Sequence, residues 1–173
     1  QLPNANLKPE SGRAFDIGID TKPVPGMTLG ARVFLNKVDD AIVTNVVSPS
    51  NPSQSRDVNA GGARSHGVEL GLKHKINDQF DYFANTTFTR SKISKPGSPN
   101  ENGAQLTFVP DNVTNLGFSW KLPTGTLIAP YLQYTGKFYD STDKTSRRQF
   151  GRNTTVNLHV SHDIKMTGGT MLN

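Results

Sequence analysis

The pair of segments Phe15-Asp16-Ile17-Gly18-Ile19-Asp20 and Met27-Thr28-Leu29-Gly30-Ala31-Arg32-Val33-Phe34-Leu35-Asn36 decides the fold. Phe15, Ile17 and Ile19 fall on one side of an extended chain, and Asp16, Gly18 and Asp20 on the other. Period two is the signature of a strand with one apolar face, and a 3.6-residue helix scatters the same residues around its axis. The second segment repeats the pattern, with Leu29, Ala31, Val33 and Leu35 opposed to Thr28, Gly30, Arg32 and Asn36. Between them Lys22-Pro23-Val24-Pro25-Gly26 supplies a turn, since proline removes ladder donors and glycine accepts unusual dihedrals. The two segments read as a hairpin.

Outward from that hairpin the pattern recurs. A third arm near 63–76 sets Val68, Leu70 and Leu72 against Gly67, Glu69, Gly71 and Lys73. Asn77-Asp78 turns the chain into a fourth arm, where Phe80, Tyr82, Ala84, Thr86 and Phe88 alternate with Asp81, Asn85 and Thr87. A fifth arm at about 106–122 carries Leu116, Phe118, Trp120 and Leu122, and a sixth at 127–139 carries Ile128, Leu132, Tyr134 and Phe138. A seventh at about 151–162 opposes Val156, Leu158 and Val160 to Asn157, His159 and Ser161, and an eighth is expected to start after Asp163.

Composition removes several classes. The 173 residues carry 19 Lys plus Arg against 14 Asp plus Glu, 34% hydrophobic residues and no Cys, so disulfides, thiolate nucleophiles and cysteine metal sites are out. No apolar run approaches the roughly 20 residues of a membrane-spanning helix, whereas a spanning β-strand needs only about 10 alternating ones. The net charge of +5 is dispersed, with Arg147-Arg148 its tightest pair, and no basic run is interleaved with aromatics, so no nucleic-acid partner is expected. The first residues, QLPNANLKPE, do not form a signal peptide, which leaves a chain that is not exported or an interior piece of a longer one.

The connections alternate in length. Those near 22–26, 77–79 and 123–126 are short, and those at about 44–62, 91–105 and 140–150 are long and polar, so all the long ones share one end. The arms, at about 10 to 14 residues, also exceed the usual strand of about 5 to 6. Both features predict an all-β, antiparallel transmembrane β-barrel fragment of about seven to eight up-and-down strands, with short periplasmic turns and long extracellular loops. Lipid then meets Phe15, Ile17, Ile19, Leu29, Val33, Val68, Leu70, Leu72, Leu116, Phe118, Val156, Leu158 and Val160. The lumen takes Asp16, Asp20, Arg32, Glu69, Lys73, Asn85, Asn115, Asn157 and His159, while Tyr82, Trp120, Tyr134 and Phe138 mark the interfaces. The rival reading is a small closed barrel or a β-sandwich that binds a carbohydrate or small ligand without transport.

Several stretches resemble one family. Asn6-Leu7-Lys8-Pro9-Glu10, then Phe15-Asp16-Ile17-Gly18-Ile19, then 34–42 (FLNKVDDAI), 59–70 (NAGGARSHGVEL), 83–89 (FANTTFT) and 109–117 (VPDNVTNLG) resemble, in order, the C-terminal barrel half of TonB-dependent outer-membrane receptors. The resemblance implies a 22-stranded barrel around a plug, in the bacterial outer membrane. It further implies import of a ferric siderophore or similar scarce ligand with energy from TonB, with no enzyme activity and no cofactor. This stretch shows no plug, no TonB box and no final strand ending in an aromatic residue. Residues 1–173 are therefore expected to be a partial barrel domain, roughly strands fifteen to twenty-one and the start of the last.

The resemblance also implies that ligand contact falls on the extracellular loops and upper lumen wall. Arg147, Arg148 and Arg152 with Tyr139 and Phe150 could offer guanidinium forks and rings to an anionic ferric chelate, with Arg56 and Gln105 in the other long loops as lesser candidates. The bland alternative is a solvated loop, or basic side chains neutralising lipopolysaccharide phosphates. Gly67, Glu69 and Gly71 share the lumen face, where small residues let a plug or loop approach the wall. The histidines are spaced wrongly for a shared metal, and Asp16 and Asp20 have no nucleophile beside them.

Overall fold

The computed structural model describes residues 2–48, 51–59, 61–95, 97–165 and 171–172, and its described residues form strands and turns with no helix among them. In chain order the strands are β1 (Ser11–Thr21), β2 (Met27–Asp39), β3 (Ile42–Ser48), β4 (Asn51–Asn59), β5 (Gly62–Lys75), β6 (Phe80–Ser94) and β7 (Asn112–Lys121). There follow β8 (Thr126–Thr135), β9 (Phe138–Tyr139), β10 (Gln149–Phe150), β11 (Asn153–His162), β12 (Ile164–Lys165) and β13 (Met171–Leu172). Seven of them make one antiparallel sheet in the order β1-β2-β5-β6-β7-β8-β11, so every strand pairs with its nearest long neighbour along the chain. The rest form two-stranded ladders, β3 with β4, β9 with β10 and β12 with β13.

The register joins the two faces expected from alternation across the whole sheet. One row of partners runs Thr21–Leu29–Leu72–Ala84–Leu116–Leu132–Val156, and the neighbouring row on the opposite face runs Asp20–Gly30–Gly71–Asn85–Asn115–Gln133–Thr155. Among the described residues no second layer covers the apolar side. Ala104 is the one buried hydrophobic residue among those described, whereas Ile19 is 70% exposed, Leu158 66% and Val156 72%. A water-soluble sandwich buries such residues between two sheets, so that rival fails here. The closed small barrel fails too, because β1 and β11 each have one neighbour in the sheet and do not meet.

The apolar band does not follow the register rows. Its centre lies at Ile17 on β1, four residues above Thr21 in the row that ends at Val156, and at Leu158 on β11, two residues below that row. Six residues over six strand-to-strand steps is one residue per strand. With a rise of about 3.3 Å and a spacing of about 4.8 Å, a level band requires strands inclined by roughly 35°, within the range of spanning barrels. The slip explains why Thr114, Tyr134 and Thr154 occupy the outward face of β7, β8 and β11 in the row that carries Ile19 and Leu70. On those strands the row is displaced towards the loop end of the band, by two residues on β7, three on β8 and four on β11, where it reaches the rim.

Several boundaries differ from the sequence reading. The connection expected at 44–62 contains the β3–β4 hairpin, and its base is strapped to the N-terminal segment. Asn59 accepts from the Lys8 amide at 2.7 Å and donates to the Lys8 carbonyl at 2.8 Å, while Glu10 receives the Ile42 amide at 2.6 Å. β6 continues to Ser94, into what was read as loop, because Gly62–Ser65 of β5 supply partners for 91–94. β7 starts at Asn112 rather than near 106, since Phe108 sits at φ 56° and Pro110 lacks a ladder donor. The sixth arm ends at Thr135, and Phe138–Tyr139 breaks away to pair with Gln149–Phe150. The eighth strand expected after Asp163 is present only as Ile164–Lys165 paired with Met171–Leu172, and 166–170 lie outside the described residues.

Arginine at the centre of the outward face should destabilise the membrane-embedded sheet by about 2–4 kcal/mol. Leu70→Arg and Leu158→Arg are therefore expected to abolish the heat-modifiable electrophoretic mobility of a folded barrel, while Asn85→Arg on the inward face preserves it.

Candidate functional site

At the end of the sheet that carries the long connections, 95–111 and 136–152 fold against each other. The β9–β10 ladder sets Phe150 opposite Phe138, with rings stacked at 5.8 Å, and Phe108 packs on Phe138 at 6.3 Å. The Phe108 amide donates to the Tyr139 carbonyl at 2.9 Å, and Asp111 N–H to the Lys137 carbonyl at 3.0 Å. Glu101 is the principal side-chain clasp. Its carboxylate accepts from Lys95 within its own loop, from the Ser98 hydroxyl at 2.8 Å and from the Thr142 hydroxyl of the opposite loop at 2.8 Å. Lys144 completes the seam, its amide on the Asn100 carbonyl at 3.0 Å and its ammonium on the Asn102 carbonyl at 2.8 Å. The hydrogen bond from Lys95, then those from Thr142 and Ser98, hold the Glu101 carboxyl below the ordinary carboxylate range.

The tip of the second loop aims its arginines. Asp143 accepts from the Thr145 hydroxyl at 2.7 Å and its amide at 2.9 Å, and the Arg147 amide donates to the Asp143 carbonyl at 2.9 Å. That tight turn returns the Arg147 guanidinium over the Tyr139 ring, 3.8 Å from its centroid. One guanidinium nitrogen of Arg147, Nη1, is buried there without a hydrogen-bond partner. Arg148 is held differently, its amide and Nε both donating at 2.8 Å to Asp140, with its guanidinium 5.6 Å from the Phe150 ring centroid. The backbone hydrogen bond from Arg148 is the main reason the Asp140 carboxyl lies below its ordinary value.

Of the residues singled out from sequence, Tyr139 with Arg147, and Phe150 with Arg148, are brought into contact. Arg152 precedes β11 at φ 57° and is exposed. Gln105 is half-buried in the first loop beside Ala104, and Arg56 lies on the separate β3–β4 ladder opposite Asn45. Glu101, Thr142, Asp140 and Phe108 were missed. Lys95 and Ser98 are local partners of Glu101, but the one that joins the two loops, Thr142, is 41 residues away and leaves no local mark.

On the inward face a trough of about 500 Å³ is lined by Gly18, Gly30, Gly71, Arg32, Glu69 and Asn85 among others. Arg32 is the register partner of Glu69 and lies 3.8 Å from the Asp16 carboxylate. The glycines of this wall differ in what they admit. A Cβ at Gly71 would meet open space, whereas one at Gly67 would strike the Phe88 carbonyl and the Phe34 ring, so Phe34 of the same chain fills that place. Among the described residues no three His, Asp or Glu side chains gather to hold a metal.

The family model for the TonB-dependent receptor-like β-barrel matches residues 1–171. No match is found among curated protein sequences. Among solved structures, the ferric yersiniabactin uptake receptor FyuA of Yersinia pestis is 21% identical, covering 93% of this chain and 24% of that one, with a TM-score of 0.70. The ferric enterobactin receptor PfeA of Pseudomonas aeruginosa, an R480A mutant with bound enterobactin, is 19% identical over 92% of this chain and 24% of its own, with a TM-score of 0.72. BauA, the ferric preacinetobactin receptor of Acinetobacter baumannii, is 16% identical over 90% and 23%, with a TM-score of 0.69. The chain thus spans about a quarter of these structures.

Because the Glu101 carboxyl is depressed, its contribution is present above the unfolded value and is lost as pH falls through the lower folded one. The protection of the Lys144 amide against hydrogen exchange, relative to its intrinsic rate at each pH, should stay high at neutral pH and fall only below the ordinary range of a glutamate. Glu101→Gln should show the lowered protection already at pH 7.

Proposed function

The chain belongs to the TonB-dependent receptor-like β-barrel family, and from that premise we propose that it forms part of an outer-membrane transporter that captures and imports an anionic iron chelate of the siderophore class. The family is one of bacterial outer-membrane receptors and transporters rather than of enzymes, and its members engage TonB. The single observation that carries the ligand class is Arg147. Its guanidinium is stacked on Tyr139 with Nη1 buried, which fixes the orientation of a planar fork of donors suited to an anionic acceptor. Hydroxamate, catecholate and carboxylate oxygens of an iron chelate are such acceptors, and Phe150, Tyr139 and Phe108 supply rings beside them. The three structures compared above are each receptors for a ferric chelate, which supports the same class.

Arg147 and Tyr139 then make the principal contact, with Arg148, Phe150 and Arg152 at its margin. Arg56 and Gln105 act from the neighbouring connections. The segment 1–173 contributes one arc of the barrel wall, and its inward trough at Glu69 and Gly71 is the surface a plug would lean on. Gly67 keeps that wall thin enough for Phe34. The transport step involves no covalent chemistry by these residues. Loops capture the chelate, and TonB, acting on the plug, releases it inward.

In the full-length receptor, Arg147→Ala is expected to weaken binding of the cognate ferric chelate by about ten- to a hundredfold. Arg147→Lys should recover little, since an ammonium lacks the planar stack, and Arg56→Ala should change affinity less than about threefold. Binding is read by fluorescence quenching against a panel of ferric catecholates, hydroxamates and citrate. A receptor that binds none of them while remaining folded refutes the uptake reading.

A further inference from the structure

Tyr139 and Arg147 meet in one stack but reach it by different routes. Tyr139 is fixed from the sheet side, by its ladder partner Gln149 and by the Phe108 amide on its carbonyl. Arg147 rides on the turn at 143–147, which is shaped by bonds internal to it, from Thr145, Ser146 and the Arg147 amide to Asp143. Among the described residues, every hydrogen bond or ion pair that 140–148 sends beyond its own connection ends on Asn100, Glu101 or Asn102. These are the Thr142 hydroxyl on the Glu101 carboxylate, the Lys144 amide on the Asn100 carbonyl and the Lys144 ammonium on the Asn102 carbonyl. Glu101 is the one carboxylate among the three acceptors and stands between the other two.

The surface that receives the turn is stiff. The Ser98 amide donates to the Lys95 carbonyl at 2.9 Å, the Glu101 and Asn102 amides to the Ser98 carbonyl at 2.9 and 2.8 Å, and the Ala104 amide to the Glu101 carbonyl at 2.8 Å. Asn102 also accepts the Lys95 amide on its side-chain oxygen at 3.0 Å. Gly103 and Ala104 then exchange hydrogen bonds of 2.8 Å with Ile93 of β6. Ala104 is 1% exposed and Ser91 6%, and the Ser91 hydroxyl accepts the Leu106 amide at 3.1 Å. Ser91 follows Asn85, Thr87 and Thr89 along the inward face of β6, so this connection is seated against the lumen side of the wall. The base of the stack and the socket for its turn are thus both anchored, and the turn between them hangs on the Glu101 seam.

We propose that Glu101 is a positioning residue for chelate capture: it docks the 143–147 turn so that the Arg147 guanidinium lies on Tyr139 before the ligand arrives, and it touches no ligand itself. The inference rests on the uptake reading above and adds to it the residue that makes the site competent. A turn held at a single seam is either docked or undocked, and the docked form alone presents the guanidinium fork on the ring. Apparent affinity then scales with the docked fraction. Removing the charge lowers that fraction, which slows association in proportion and leaves dissociation from the docked complex as it was. Loss of a residue that contacts the chelate acts chiefly on dissociation instead. The two roles separate in the kinetics.

The test uses the full-length receptor in detergent, with ferric citrate, a ferric tris-catecholate and a ferric tris-hydroxamate as probes and rates read by stopped-flow fluorescence quenching. Glu101→Gln is expected to slow association about five- to tenfold while changing dissociation less than about twofold. Arg147→Ala should instead speed dissociation, and adding Glu101→Gln to it should cost little more. Heat-modifiable mobility reports folding. Should Glu101→Gln fail to assemble, Thr142→Val carries the same test, since it removes the cross-loop hydroxyl and leaves Lys95 paired. Rescue distinguishes positioning from a general structural role. Positions 100 and 144 face one another across a backbone hydrogen bond of 3.0 Å, close enough for a disulfide, and the segment has no cysteine to compete. In the Glu101→Gln background, oxidised Asn100→Cys with Lys144→Cys should restore the association rate, and a reductant should abolish the recovery. Unchanged association in a folded Glu101→Gln receptor, a loss carried by dissociation, or a disulfide that restores nothing overturns the proposal. Failure of the uptake reading looks different, because wild type then binds none of the three probes, and that result overturns both.

Discussion

The structure depends on where the backbone hydrogen bonds of a single, uncovered sheet can go. A layer with one hydrocarbon face survives in water only by packing that face on another layer, and no other layer exists among the described residues. In lipid the demand reverses. Hydrocarbon side chains may face outward freely, but every amide and carbonyl must be paired within the ladder, since no water is there to take them. Seven long antiparallel strands joined to their nearest neighbours meet that demand except at the outer edges of β1 and β11 and at Pro130 of β8, which has no amide to donate and beside which the β7–β8 register passes over Phe118 and Ser119; closure into a wider barrel removes edges of the first kind. The same constraint pushes irregular backbone out of the hydrocarbon zone. Phe108 and Arg152, with their positive φ, both lie in the long connections.

Much of this arrangement was legible in the sequence because it is periodic. Alternation from Phe15 to Ile19 and from Val156 to Val160 assigns faces without reference to partners, and the short turns read at 22–26 and 123–126 fix the pairing of adjacent strands. What could not be read locally was where alternation ends. Ile42–Ser48 and Asn51–Asn59 sit in a stretch rich in Ser, Asn and Pro that reads as loop, yet a hairpin forms there, held at its base by Asn59 and Glu10. In the opposite sense, Gln105–Pro110 adjoins a strong strand pattern but leaves the ladder. A bulky residue in the left-handed region and a proline outweigh the pattern of Leu116 to Trp120.

The candidate site divides along the same line. Arginines and rings concentrated in one polar connection could be picked out by composition, and the stacks of Arg147 on Tyr139 and Arg148 near Phe150 are short-range consequences of the β9–β10 ladder. The clasp that holds those stacks in place is non-local. Glu101 and Thr142 belong to different hairpins, and their meeting follows from the sheet order, which brings the β6–β7 and β8–β11 connections to the same end. Two loops joined by a charge-assisted carboxylate cluster lose less entropy on binding a ligand than two independent ones. The clasp and the stacked guanidinium therefore belong together. One preorganises, and the other presents its donors to the acceptor.

Register also carries the membrane reading. The tilt obtained from the drift of the apolar band, one residue per strand, sets the height of each residue on the outward face. Without the tilt, Thr114 and Tyr134 would look like misplaced polar residues in mid-membrane. With it, they lie two residues on β7 and three on β8 towards the loop end of the band. A single geometric parameter thus accounts for an apparent violation of the lipid-facing pattern on one side of the sheet.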